Sequence, residues 1–216
     1  MARLIVSTWV WGSKYGPDYV EKLRAGVARH LKLHHEFRVF TPPPLDEYLT
    51  KEKGCFARLR AFDPEWQASQ GIRPGDRIVC MDLDLIITGP LDDLFDRPEP
   101  FVILQGANAV NPCPFNGSLW MIEAGYRPDV WGEFSLELAA KVLFHEFPDD
   151  QAWMADMIPD AAGWQCGQES GVYAFQKRGW PKGEALPKDA RIVCFPGWRD
   201  PSQYVRLDWV KEHWRA

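Results

Sequence analysis

Between Arg77 and Phe95 the sequence reads RIVCMDLDLIITGPLDDLF, an apolar run interrupted by Asp82 and Asp84. Burying a carboxylate is costly unless something pairs with it. RIVCM (77–81) reads as a buried strand, and the two aspartates fall where it ends. In an extended segment residues i and i+2 point to one face, so Asp82 and Asp84 project together while Leu83 and Leu85 face the core. A β-turn would hold the carboxylates almost as close. Two like charges this near raise one pKa unless a cation lies between them. Hard oxygen donors suit Mg²⁺ or Mn²⁺, which take their remaining ligands from water and phosphate. The plain alternative is a solvated turn, with Asp as a turn former.

The rest of the chain supplies a frame for that pair. RLIVST (3–8) reads as a buried strand. The loop WVWGSKYG leads to a helix with Pro17 in its first turn, where Tyr19, Val20, Leu23, Val27 and Leu31 recur at helical spacing. EFRVF (36–40) is a second strand, CFARLRAF (55–62) reads as helix up to Asp63-Pro64, and GPLDDLF (89–95) as a short helical turn. FVILQ (101–105), SLWMIEA (118–124), GVYAFQ (171–176) and RIVCF (191–195) read as strands. Helices are expected near 130–145, over 149–158 and over 205–214. Strand and helix alternate through the first half, which predicts an α/β fold with a mostly parallel central sheet flanked by helices. In such sheets ligands collect at the carboxyl ends of the strands, where the aspartates lie.

A chain of 216 residues with no long polar linker is expected to form one domain. Its net charge of −5, with both signs interspersed and no basic stripe, argues against nucleic acid as a partner. Five cysteines, none spaced as CxxC, argue against a zinc site or a disulfide framework and for reduced thiols in the cytoplasm. The apolar N-terminal run is too short for a signal peptide or a membrane span. Of 11 tryptophans most are expected in the core and a few as flat platforms for sugars, bases or cations.

Two enzyme classes use an Asp-x-Asp pair after an apolar strand. Phosphatases of the haloacid dehalogenase type place Thr or Val at the fifth position, which is Ile86 here, and carry the motif near the start of the domain, whereas about 80 residues precede it here. Nucleotide-sugar glycosyltransferases use the pair to hold a metal on a diphosphate, downstream of a nucleotide-binding half. The layout fits the second class better.

Six segments, in order over about 190 residues, resemble retaining glycosyltransferases of the family 8 type on a GT-A fold, especially bacterial ones with a KYG-type loop. STWVWGSKYGPDYVEKLRAGVARHL resembles the first strand, nucleotide loop and helix. FARLRAFDPEW is similar to the helix that precedes Asp-x-Asp, and MDLDLIITGPLDDLF to the motif strand with its LxxLF turn. FNGSLWMIEAG resembles the family's FNSGVMLIN strand, DDQAWMADM its DQDILN segment, and RIVCFPGWRDP its closing HFxGxxKP segment. The resemblance implies a GT-A-like nucleotide-diphospho-sugar transferase fold over 1–216, with a nucleotide- and metal-binding half at 1–88, a donor-sugar and acceptor half at 89–204 and a C-terminal helix at 205–216.

It also implies roles. Asp82 and Asp84 would hold Mn²⁺ or Mg²⁺. Tyr15 would stack on the nucleotide base, with Ser7, Thr8 and Lys14 nearby. Arg58 would reach the donor sugar, and Asn116 would donate an amide to sugar or phosphate. Asp150 would bind a sugar hydroxyl, with Gln151 near the anomeric carbon. Gly197 and Arg199 would meet the diphosphate. Each has a bland alternative: a surface aromatic for Tyr15, a solvated charge for Lys14, a snorkelling helix residue for Arg58, a turn at Asn116-Gly117, a helix cap for Asp150. The implied partners are a UDP-sugar donor and an acceptor of unspecified kind. The closing segment departs from the family. Its usual metal-binding histidine falls at Cys194, or at Pro196 in a shifted alignment, and its phosphate-binding lysine at Asp200. Thiolate is a poor donor for Mn²⁺. Those departures keep a second reading open, a relative that binds nucleotide-sugar without turning it over.

Overall fold

The computed structural model describes residues 2–51, 55–107, 111–144, 148–177 and 179–216. A six-stranded sheet forms its centre, in the order β2-β1-β3-β6-β5-β7. Its strands are β1 (Leu4–Trp9), β2 (His35–Phe40), β3 (Arg77–Met81), β5 (Phe101–Gln105), β6 (Phe115–Glu123) and β7 (Ala162–Gln165). β1 pairs in parallel with β2 and β3, and β5 with β7; β6 runs antiparallel to both neighbours. The sheet is therefore mostly parallel, as the alternation of elements predicts. A second sheet of three short strands, in the order β4-β9-β8, joins β4 (Ile86–Ile87), β9 (Ile192–Cys194) and β8 (Val172–Ala174).

Strand periodicity sorts the core into layers. Ile78 and Cys80 of β3, with Ile103 and Trp120, pack on one face against the Phe56–Phe62 segment, α2 (Pro64–Ser69) and α6 (Asp150–Met157). Val79 and Met81, with Val102 and Leu119, face the other way, against α1 (Pro17–His30) and the second sheet. Beyond that sheet, Tyr173, Phe175, Phe195, Val210 and Trp214 form a third cluster, which seats α7 (Asp208–His213). Leu83 and Leu85 are buried, as their alternation with the aspartates predicts.

Three local features differ from expectation for identifiable reasons. Residues 56–62 wind as a 3₁₀ segment rather than an α-helix. The chain enters it through Cys55 in the left-handed region (φ 57°), Asp63-Pro64 starts α2 directly after it, and all but Arg60 of its side chains are buried. Tight winding is confined to short pieces of this kind. The helix expected near 130–145 is two short ones, α4 (Asp129–Gly132) and α5 (Leu136–Ala139), because Ser135 accepts a hydrogen bond from the Leu138 N–H and starts a new helix. Residue 145 of that expectation lies outside the described residues. Asn116-Gly117 is not a turn but lies inside β6, where the register with β5 slips between Ile103 and Leu104. The remaining helix, α3 (Asp92–Phe95), is the turn expected over 89–95, shortened at its start. Among the described residues no helix is long and apolar enough to cross a membrane.

Candidate active site

A cavity of about 660 Å³ opens at the carboxyl ends of β1 and β3. That volume suits a small-molecule ligand. Asp82 and Asp84 lie on its wall, in the tight turn between β3 and β4, and Asp82 extends the ladder by donating its N–H to the Ser118 carbonyl at 3.0 Å. The extra residues of the β6 bulge present Asn116 and Ser118 to the same cavity; bulges commonly re-aim side chains beside sites.

Arg58 organises the floor. Although 4% exposed, it is ion-paired on two sides. Its Nη1 donates to Asp82 and, at 2.9 Å, to the Gly117 carbonyl; its Nε donates to Asp150 Oδ2 at 2.8 Å, and Nη2 lies 2.7 Å from the same oxygen. Burial opposes the charge on Arg58, but Asp150 and Asp82 outweigh it and hold the guanidinium firmly protonated. Gly117 is required by this approach, since a Cβ there would lie 2.7 Å from Arg58 Nη2 and 3.2 Å from Asp150 Oδ1.

Asp84 is 8% exposed and accepts from the Tyr15 hydroxyl at 2.6 Å. Burial, then the neighbouring Asp82 charge, push its carboxyl up to about 7, with Tyr15 and Lys14 opposing. The same burial and the Asp84 charge push the Tyr15 phenol upward. Asp84 is thus a carboxyl held beside a second carboxylate, Asp82, on the cavity wall. Both are hard oxygen donors, so they fit a Mg²⁺- or Mn²⁺-class ion that completes its shell with diphosphate and water. They do not make a closed all-protein site: among the described residues no group of three or more His, Cys, Asp or Glu side chains is placed to hold a metal. Cys194 ends β9 at 1% exposure, and burial pushes its thiol well above the usual range, which disfavours the thiolate a metal would need. Pro196 lines the cavity but has no donor side chain.

Of the residues singled out in the sequence, Lys14, Tyr15, Arg58, Asp82, Asp84, Asn116, Gln151 and Gly197 line this cavity. Ser7 and Thr8 do not: both are fully buried in β1, with the Ser7 hydroxyl on the Val79 carbonyl at 2.9 Å. Asp150 does not either, being 2% exposed and turned onto Arg58. Its neighbour Asp149 lines the cavity and also caps α6, accepting from the Ala152 N–H at 2.8 Å. Burial raises the Asp149 carboxyl to about 6 against that hydrogen bond and Arg58. Gln151 accepts from the Gly117 N–H at 2.9 Å. Arg199 and Asp200 lie outside the lining. The Arg199 guanidinium stands 5.2 Å from the Trp198 ring centre. Asp200 caps the 3₁₀ turn Pro201–Tyr204 through the Ser202 N–H at 2.9 Å and accepts from the Tyr19 hydroxyl at 2.7 Å. Asp149, Trp11, Asn111, Ser118 and Lys177 line the cavity without having been singled out. The doubled aspartate before α6 and the turn after β8 are the sequence signals that point to two of them.

No protein-family model and no curated protein matches the chain. Solved glycosyltransferase structures do. The apo form of the glycosyltransferase GlyE of Streptococcus pneumoniae TIGR4 superposes with a TM-score of 0.60 at 16% identity, covering 98% of this chain and 63% of GlyE. A glycosyltransferase involved in glycosylation of the major capsid of PBCV-1 gives 0.56 at 15%, covering 97% and 98% of the two chains. The galactosyltransferase LgtC, in complex with donor and acceptor sugar analogues, gives 0.55 at 10%, covering 99% and 97%. The chain has the fold of these GT-A-type glycosyltransferases, and it spans 63% of the GlyE chain.

Proposed function

We propose that the chain is a family 8-type glycosyltransferase that moves a sugar from a UDP-linked donor to an acceptor hydroxyl with retention of configuration. One observation carries the reading. An aspartate pair, a buried arginine, two side-chain amides and a glycine loop converge on a single cavity at the strand ends of a glycosyltransferase fold.

Lys14, Tyr15 and Trp11 line the end of the cavity next to β1 and would receive the nucleoside. Asp82 and Asp84 would hold Mn²⁺ or Mg²⁺, which when bound supplies Lewis acidity to the diphosphate oxygens. Arg58 pairs with Asp82 and fixes the direction of its carboxylate. Asn116 and Gln151 present amide groups toward the sugar, and Asp149 presents the carboxylate beside them. Asp150 acts at one remove, by orienting Arg58. In the transfer the anomeric C–O bond to the diphosphate breaks and its electron pair stays on the phosphate oxygen. The acceptor oxygen forms the new bond on the same face, and its proton passes to the departing phosphate. Fixed dipoles such as those of Asn116 and Gln151 stabilise oxocarbenium-like charge on the sugar.

The test is calorimetric titration with UDP, with and without Mn²⁺, in wild type and Asp84→Asn. The expected result is tighter UDP binding with metal in wild type and none of that gain in the variant. Equal UDP affinity with and without metal overturns the metal assignment. A second reading, nucleotide-sugar binding without turnover, is favoured by Cys194, whose buried thiol stands where the resembling family has a histidine. It predicts no hydrolysis of any UDP-sugar in a donor panel despite measurable binding, whereas hydrolysis lost in Asp149→Ala supports the enzyme.

A further inference from the structure

A diphosphate in this cavity meets an unusual charge distribution. Where the resembling family has a phosphate-binding lysine this chain has Asp200, which lies outside the lining as the cap of a turn. Arg199 is outside the lining too. Arg58 faces the cavity, but its fork is spent on Asp82, Asp150 and the Gly117 carbonyl. Two other cations remain on the wall among the described residues, Lys14 and Lys177. Lys14 lies over the Tyr15 ring at 4.5 Å, at the β1 end of the cavity.

Lys177 is placed differently. β8 and β9 run parallel, and their last paired positions are Ala174 and Cys194. The Phe175 N–H adds one more rung to the Cys194 carbonyl at 2.8 Å. Lys177 and Gly197 each follow that last pair by three residues, and both line the same cavity. A turn closed by the Lys177 N–H on the Ala174 carbonyl at 3.1 Å directs the chain, and it puts Gln176 in the left-handed region at φ 54°. That conformation is strained for a non-glycine residue, and such outliers gather at ligand sites. The Lys177 ammonium makes no ion pair or side-chain hydrogen bond with any described residue, although Asp82, Asp84 and Asp149 share its cavity.

We propose that Lys177 is the diphosphate-binding cation of this site, supplying from the end of β8 the charge that the closing segment lost at Asp200. The inference rests on the reading of a nucleoside diphosphate-sugar donor. A lysine ammonium is a compact, rotatable point charge suited to non-bridging phosphate oxygens. The Gly197 backbone, at φ 78°, lines the same cavity and offers an exposed loop for close approach of the same group. As the anomeric bond breaks, charge grows on the diphosphate, and a cation fixed there favours departure.

Calorimetry with uridine, UMP and UDP separates the parts. Lys177→Ala is expected to weaken UDP by about tenfold or more, the scale of one charge-assisted contact, and uridine by less than about twofold. Lys177→Arg is expected to restore most of the difference. Removing an exposed lysine outside the cavity, Lys188→Ala, is expected to change neither affinity. Lys177 makes no ion pair or side-chain hydrogen bond among the described residues, so its variants are expected to melt with wild type, and Lys177→Gln is a second uncharged variant. UDP binding by Lys177→Ala within about twofold of wild type overturns the inference. So does a loss of UDP binding in Arg199→Ala that Lys177→Ala lacks, which returns the role to Arg199. Wild type that binds none of UDP, GDP, ADP, CDP and dTDP overturns the donor reading itself, before any variant is compared.

Discussion

Arg58 and Asp150, 92 residues apart in the chain, meet 2.7 Å from each other with side chains only 5% and 3% exposed. Removing one partner leaves the other charged and buried, which costs about 3–5 kcal/mol. Asp150→Ala is therefore expected to lower the urea midpoint sharply, whatever it does to activity. Replacing both, as Arg58→Met with Asp150→Leu, is expected to recover most of the stability because buried ion pairs exchange well for apolar volume. Nucleotide-sugar binding is expected to stay lost in the double variant, since Asp82 then lacks its partner. Recovery of binding along with stability would remove Arg58 from the site.

Gly117→Ala probes the same floor from the other side. Its Cβ would meet the Arg58 fork at 2.7 Å, and the guanidinium is held by three partners that resist its moving. Overpacking of this kind costs about 1–3 kcal/mol. The expected result is a lower melting temperature together with weaker UDP binding. A variant that melts and binds as wild type would mean that Arg58 has room to shift.

The contrast between these residues shows what the sequence made legible. β1, β3 and β5 stand out because they are continuous apolar runs bounded by turn residues, and the Asp-x-Asp turn follows from where β3 must end. β4 and β7 do not stand out. Ile86-Ile87 is two residues long, and Ala162–Gln165 is buried mainly through Trp164, so neither carries a period. Site residues divide the same way. Arg58 and Asn116 are legible through their neighbours in sequence, whereas Lys177 owes its place to the pairing of β8 with β9, a tertiary relation. Asp200 illustrates a local rule outranking an alignment: Asp-Pro-Ser-Gln satisfies a capping box, and its carboxylate turns to backbone N–H groups instead of the cavity.

Asp76 is a buried contributor to acid stability far from the site. Asp76 is 2% exposed and ties the start of β1 to that of β3, accepting from the Arg3 N–H at 2.9 Å, Arg3 Nε at 3.0 Å and the Arg73 N–H at 3.0 Å. Burial alone would raise its carboxyl, but the Arg3 and backbone hydrogen bonds prevail and bring it from 3.8 to about 2. A carboxylate depressed in the folded state contributes stability that is fully present above its unfolded pKa. That contribution is lost as pH falls through the folded value. The window is thus about pH 4 down to 2, and the size about 2 kcal/mol. Asp76→Asn is expected to lower stability by about that amount at pH 7 and by much less at pH 2, read from urea midpoints at both. An equal loss at both would place the effect in packing instead of charge.

Asp149 separates capping from chemistry. Its Oδ1 accepts from the Ala152 N–H at 2.8 Å, and its side chain also faces the cavity. Asn caps a helix about as well as Asp, so Asp149→Asn is expected to keep stability within about 0.5 kcal/mol while removing the charge. Asp149→Ala loses the cap as well and is expected to cost about 1 kcal/mol. If the carboxylate serves the donor sugar, both variants lose UDP-sugar turnover while only the alanine variant melts earlier. If its work is the cap alone, the asparagine variant turns over and melts like wild type. With the carboxyl raised to about 6 by burial, turnover that depends on the ionised form is expected to rise between about pH 5 and 7 in wild type. The asparagine variant tests this directly, since any activity it retains should lack that limb of the profile.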